Sequence, residues 1–293
     1  RSDTELIPLR TTIASPPLSI AIKYKGEHAI LTGTQFSGII ENVSIEGVFN
    51  ASSAFKIGID IDNASSFVIR DCTIVGANVS IATGEYKLME HGVRVGNFST
   101  HVHCENVHVQ LAEVAFGMVG TNTSEDMKII RCTATQCDYG LKTDTAVGGV
   151  QNVTYTHFST FLGGIKMANS HAYFNGNLFF KREDSLASHN YIGMDFSGRG
   201  IICVGNQFLN QSSAGGQATA IRITDNTALT NTDVSIIAHN VIIPGIGGGW
   251  NKTIELGGGV IRCIVRDNMT YIGAPQIINN GTENEIKEWT AKP

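Results

Sequence analysis

An imperfect repeat that begins near residue 38 and runs almost to the C-terminus limits this chain to very few folds. One half of the unit reads IIENVSI (39–45), IRDCTI (69–74), HCENVHV (103–109), IIRCTAT (129–135), FNGNLFF (174–180), CVGNQFL (203–209), IAHNVII (237–243) and VRDNMTY (265–271). The other half lies between these copies, as GIDID (58–62), GVRVGN (92–97), GLKTD (140–144), GIKMAN (164–169), GMDFSG (193–198) and AIRITD (220–225). A short apolar run such as VSII (234–237) completes each unit. About three short strands recur with a period drifting between roughly 20 and 34 residues, the range of solenoids, and no helix separates them. Apolar residues alternate with polar ones, as in Ile59 and Ile61 around Asp60 or Ile165 and Met167 around Lys166. Period two sends the apolar set inward and the polar set outward. The expected fold is therefore all-β, a single-stranded parallel β-helix of about nine coils over residues 38–283. Residues 1–37 read as an N-terminal cap or atypical first coil, and 284–293 as a C-terminal tail.

Composition excludes several classes of function. Net charge is −5 and no Lys/Arg run occurs in the sequence, so no nucleic-acid partner is expected. No apolar run approaches the ~18 residues of a membrane span, so no membrane partner is expected either. The chain opens on Arg1 rather than Met, which reads as a processed chain. N-x-S/T sequons such as Asn42, Asn50, Asn63, Asn78 and Asn97 read as chance in a chain rich in Asn, Ser and Thr. Of six cysteines, Cys72, Cys104, Cys132, Cys203 and Cys263 recur near equivalent places and Cys137 stands apart. With no CxxC and wide spacings, buried free thiols acting as small hydrophobes are expected rather than disulfides or a metal site.

Two residue types mark the corners. Asn42, Asn177, Asn206, Asn240 and Asn268 align after one strand, where Asn tolerates left-handed backbone and stacked amides can hydrogen-bond along the column. Gly58, Gly92, Gly140, Gly164 and Gly193 open another strand, which suits close approach or positive φ. The copy HVHCEN (101–106) is out of step by one residue, and a bulge is expected there. His101 and His103, two apart on a strand, share a face, but no third metal ligand has convincing spacing. No metal or cofactor is expected.

Loop length carries the functional signal. Between the Asn corner and the glycine-led strand, long insertions occur at 83–91, 181–192, 210–219 and 244–253. The three coils between the first two are short there, through 111–116, 136–140 and 161–164. These short coils should form the floor of a groove roughly 15–20 Å wide, at ~4.8 Å per coil, walled by 83–91 and 181–192. Glycan hydrolysis needs two carboxylates, and the groove offers Glu113, Asp138, Glu183, Asp184 and Asp195 as catalytic candidates. Tyr86, Tyr139, Tyr191 and Trp250 could stack on sugar rings, and Lys142, Asp144 and Lys166 could bind substrate. A uronate lyase would instead draw on Tyr139, Lys142, Lys166, His189 and Tyr191. The plain alternative for the outward row Asp60, Arg94, Lys142, Lys166, Asp195, Arg222 and Glu255 is an ordinary solvated face with cross-strand pairing.

Across about 250 residues the repeat resembles the right-handed parallel β-helix of the pectate-lyase-like superfamily, most closely phage tailspike and appendage depolymerases. It shows neither the NTD…DD pattern of polygalacturonases nor the Asp cluster with R-x-P-x-x-R of pectate lyases, so no residue roles carry over. The resemblance implies an extracellular or virion-borne protein, a polysaccharide partner and a homotrimer. The leading expectation is a polysaccharide depolymerase acting by hydrolysis, without a cofactor. A polysaccharide lyase or epimerase of the same fold, and a non-catalytic receptor-binding or structural rod, remain alternatives.

Overall fold

The computed structural model describes residues 12–13, 20–24, 28–32, 37–47, 56–76, 78–80, 85–86, 88–120, 126–144, 151–168, 171–182, 189–198, 200–210, 217–225, 234–244, 249–270 and 277–290. Of residues 12–13, 20–24, 28–32, 78–80, 85–86, 151, 225, 244 and 288–290 it describes the backbone alone.

Three strands per turn stack into three faces of a parallel β-helix. The first face climbs through 12–13, 38–41, 67–70, 103–105, 128–130, 151–154, 172–175, 201–204, 235–238, 263–266 and 285–287. The second climbs through 20–24, 43–47, 73–75, 108–110, 133–135, 157–160, 178–181, 207–210, 241–244, 269–270 and 289–290. The third climbs through 28–32, 57–61, 91–95, 114–118, 139–143, 163–167, 191–197, 218–225, 252–259 and 278–279. Among the described residues this makes ten complete turns, nine of them from residue 38 onward, and two rungs of an eleventh. Strands 12–13, 20–24 and 28–32 pair as a full turn below the first repeat, and 285–290 pair in parallel on 264–270.

The core is a set of columns one residue wide, because each side chain faces its counterpart one turn away. Asparagine fills one column at the first-to-second-face corner. Asn177, Asn206, Asn240 and Asn268 are buried there. Asn177 Nδ2 donates to Asn206 Oδ1 at 2.9 Å, Asn206 Nδ2 to Asn240 Oδ1 at 3.0 Å, and Asn240 Nδ2 to Asn268 Oδ1 at 2.9 Å. The same oxygens accept backbone N–H groups, from Asn177 N at 3.0 Å and Asn206 N at 3.0 Å for example. In earlier turns this column holds Val43, Cys72, Val107, Cys132 and Thr156.

The left-handed residue is the one before it. Asn42, Asp71, Asn106, Arg131, Tyr155, Gly176, Gly205, His239 and Asp267 hold φ between 52° and 67° in nine successive turns. Asn42 therefore does occupy left-handed backbone, whereas Asn177, Asn206, Asn240 and Asn268 sit one position later and stack inside. The expected bulge at 101–106 is absent: His103, Cys104 and Glu105 pair evenly with Val68, Ile69 and Arg70. The copy seemed out of step because its Asn106 matches Asn42 and not the buried column.

The glycines of the third face have ordinary φ and serve close approach. A Cβ at Gly140 would lie 2.0 Å from the Phe158 ring and 2.6 Å from the Gly164 carbonyl oxygen, and one at Gly164 would lie 2.3 Å from the Phe179 ring. The inward rings they admit stack, Phe158 on Phe179 at 5.2 Å and Phe179 on Phe208 at 4.7 Å between centroids. Trp250 closes this stack edge-on to Phe208 at 6.3 Å and contacts Tyr191 at 6.0 Å. All six cysteines are free and buried, but in several columns: Cys72 and Cys132 share the asparagine column, while Cys104 and Cys203 line the first face.

Two stability predictions follow from these columns. Asn206→Ala leaves the Asn177 backbone N–H and side-chain amide without their acceptor and opens a cavity, so it should cost about 2–4 kcal/mol, read as a lower denaturant midpoint at unchanged slope. Burial raises the Cys72 thiol to about 11 and the Cys132, Cys137 and Cys263 thiols to about 12, against 9.0 unperturbed. Above pH 9 the unfolded chain loses these protons while the folded one keeps them, so stability is full below pH 9 and declines between about pH 9 and 12. A flat melting temperature from pH 8 to 11 would contradict the buried thiols.

Candidate functional site

The second-to-third-face corner carries the insertions anticipated from loop length. Long connections follow the second-face strands that end at Gly47, Val75, Lys181, Asn210 and Pro244, and the third-face strands begin at Ile57, Met89, Tyr191, Ala218 and Lys252. In the turn 67–95 the insertion includes an antiparallel pair, Asn78–Ser80 with Glu85–Tyr86. In the three turns 103–118, 128–143 and 151–167 the corner is bare. One residue, Leu111, joins the two strands in the first of them, and Thr133–Thr143 and His157–Met167 run through the corner unbroken. Left-handed φ at Leu111 (61°) and Gln136 (54°) bends the chain without a loop.

Glu113 and Asp138 stand on this bare corner. Each precedes one residue of the paired couple Val114 and Tyr139, so the two carboxylates occupy neighbouring strands at one level. Glu113 is exposed and Asp138 half-buried. Next to them on the third face runs an outward row that the register fixes as Asp60, Arg94, Gly117, Lys142, Lys166, Asp195, Arg222 and Glu255.

Both ends of this row are ion-paired. Arg94 Nε and Nη2 donate to the two Asp60 oxygens at 2.8 and 2.5 Å, and Arg222 binds both Asp195 oxygens at 2.9 and 2.8 Å. These bidentate bonds raise the pKa of Arg94 and of Arg222. Lys252 Nζ reaches Glu255 at 2.5 Å.

The middle of the row differs. Lys142 and Lys166 pair directly across the ladder, like charge beside like charge. Both ammonium groups approach the Tyr139 ring, at 5.6 and 6.0 Å from its centroid. Two outer-face glycines make room for rings here. A Cβ on Gly163 would lie 3.2 Å from the Tyr139 ring, and one on Gly117 would lie 2.5 Å from His91 Nδ1. Burial, then Asp138 and Asp195, raises the Tyr139 phenol, with Arg222 opposing. Burial, then Arg94, lowers His91, with Lys142 adding to the effect against Glu90 and Asp60, so the imidazole is neutral at pH 7.

An open concavity of about 630 Å³ adjoins the row at its far edge, lined by Asp144, Lys166, Asp195, Arg222, Gly120 and Thr143 among others. The structure thus gathers Tyr139, Lys142, Asp144, Lys166 and Asp195 on one face, with Glu113 and Asp138 at its margin. Asp195 has both oxygens committed to Arg222. Tyr191 and Trp250 are corrections: they are 0% and 2% exposed and finish the interior aromatic stack, so neither presents a ring to a sugar. The indole Nε1–H of Trp250 donates to the Ile243 carbonyl at 3.0 Å. Glu183, Asp184 and the side chain of Tyr86 lie outside the described residues. His189 is exposed and stands at the edge of the insertion before Tyr191.

His101 does not share a strand face with His103. It holds left-handed φ at the corner and pairs with Asp126 at 3.6 Å, while His103 faces out beside Lys128. Among the described residues no group of His, Cys, Asp and Glu is arranged to hold a metal ion.

Sequence reasoning passed over His91 and Arg222 as site members. Gly117 was the available signal, as the one gap in the outward row. A second concavity, of about 710 Å³, lies at the first-to-second-face corner between Glu41, Arg70, Glu105 and Arg131. Arg70 bonds Glu41 and Arg131 bonds Glu105, while Asn106 Nδ2 donates to Asp71 at 2.6 Å, so each charged group there has a partner and one carboxylate is in excess.

The chain matches no protein-family model, and a search of curated proteins finds no relative.

Proposed function

We propose that this β-helix binds a bacterial surface or extracellular polysaccharide across the bare corner and outer third face, and cleaves it by glycosidic hydrolysis. The observation that carries the reading is the run of three loop-free turns between insertions at 76–88 and 182–190. Four steps of ~4.8 Å separate the flanking turns, a span of roughly 19 Å that fits a few sugar units. Within it, Tyr139 offers a half-buried ring beside cationic and carboxylate side chains, the mixture that sugar hydroxyls and ring faces bind.

Hydrolysis assigns Glu113 and Asp138 as the carboxylate pair, one protonating the leaving oxygen and the other acting as base or nucleophile. Asp195, held by Arg222, orders the floor instead. A second reading has its own support: neutral His91 and the Tyr139 phenol beside two lysines are the groups an eliminating lyase uses to take a proton next to a neutralised carboxylate. The resemblance to tailspike and appendage depolymerases of the pectate-lyase-like superfamily supports an extracellular setting and a homotrimer.

Incubation with a panel of bacterial surface polysaccharides separates these readings. Hydrolysis should produce reducing ends without ultraviolet absorbance, and elimination would add absorbance from unsaturated ends. Glu113→Gln and Asp138→Asn should each lower turnover by about a hundredfold or more while melting temperature holds. Full activity in both variants would remove these carboxylates from the mechanism, and binding without any chain shortening would leave a non-catalytic rod.

A further inference from the structure

On the outward row of the third face, every other described cation has a carboxylate. Arg94 has Asp60, Arg222 has Asp195, and Lys252, one step to the side, has Glu255. Lys142 and Lys166 break this pattern at the centre of the loop-free turns. They face each other directly across neighbouring strands, whose backbones are ~4.8 Å apart. Like charges placed opposite one another destabilise a ladder, and a rod with this row could have alternated signs throughout.

Neither lysine is ion-paired within the row, although Asp144 stands on the same face beside the concavity. Below Lys142 the row holds Gly117, which contributes no side chain, and the His91 ring lying against that glycine is neutral. Above Lys166 stands Asp195, whose two oxygens already accept from Arg222. Among the described residues both ammonium groups lie against the Tyr139 ring, and a ring quadrupole attracts a cation without neutralising it. Lys166 is exposed and opens on the concavity shared with Asp144 and Arg222.

We infer that the polysaccharide bound on this face is anionic, and that Lys142 and Lys166 together hold one of its carboxylate or sulfate groups while Tyr139 supports the adjoining ring. The inference rests on the polysaccharide reading above and adds the class of sugar. Two ammonium groups one rung apart suit a single multidentate anion, and the repulsion between them is relieved when it binds. Binding should therefore weaken with ionic strength, because the pair is close to solvent.

Binding is measured, independently of cleavage, to hyaluronan as a carboxylate polymer, dextran sulfate as a sulfate polymer, and neutral dextran. At least one anionic polymer should bind, with affinity falling as salt rises, and dextran should bind more weakly. Lys142→Gln and Lys166→Gln should each weaken anionic binding about tenfold, a charge-assisted contact apiece, and the double variant should abolish it. Lys128→Gln, on the first face, should bind as the wild type does. Melting temperature should hold or rise in the Lys142 and Lys166 variants, since removing one charge ends the repulsion. Retained anionic binding in the double variant overturns the inference, as does equal affinity for dextran. If the wild type binds only neutral glycans, the anionic inference fails and the polysaccharide reading stands; if it binds no glycan of either kind, both fail.

Discussion

A single parallel register, repeated turn after turn, governs this molecule. It sets each residue against its counterpart ~4.8 Å away and gives no freedom to slide, because a one-residue slip would turn every inward side chain outward. Each position along the turn thus becomes a column, and a column is stable only if its members tolerate self-stacking. Aliphatic side chains do so by packing. Asparagine does so because its amide both donates and accepts, so four amides in line satisfy one another and also serve buried backbone N–H groups. Phenylalanine does so only where glycine vacates the adjacent position, as Gly164 does for Phe179. The glycine column and the aromatic stack are one device.

The same rule acts on the outside with different consequences. Charged residues in a column must alternate or be separated, and the pairs Asp60 with Arg94 and Asp195 with Arg222 follow it. Gly117 separates Arg94 from Lys142. Like charges meet at Arg266 on Lys287 of the first face, where Lys287 has Glu285, and on the third face at Lys142 on Lys166, in the turns whose corner lacks a loop. Connection length decides which corners carry a loop, and the register decides what stands beside them.

Much of the fold was legible because period two and the glycine-led strands are local signals. Errors of one residue were not. Asn42 and Asn177 look equivalent in the repeat, but one holds the left-handed corner and the other starts a buried amide column, a difference that only the ladder reveals. Tyr191 and Trp250 border polar insertions, which suggested exposed sugar-stacking rings. Their burial follows from the Phe158, Phe179 and Phe208 stack, which needs further aromatic surface at its end. That requirement belongs to residues more than 40 positions away and leaves no trace beside Trp250.

Lys142 and Lys166 were legible as candidate binding residues, but their direct opposition stands out only in the ladder. Lys142 and Lys166 are 24 residues apart, so a scan of the sequence for basic clusters finds none. Stacking turns that separation into direct opposition, and it brings His91 over Gly117 and Tyr139 over Gly163 from neighbouring turns. In a solenoid, charge clusters must be counted along the column rather than along the chain. Counted in that way, a protein of net charge −5 presents two lysines without an ion pair, among the described residues of this row, in the turns whose corner lacks a loop. A net charge of −5 gives an anionic polymer no overall attraction, so affinity for one would have to come from a local grouping of cations such as this.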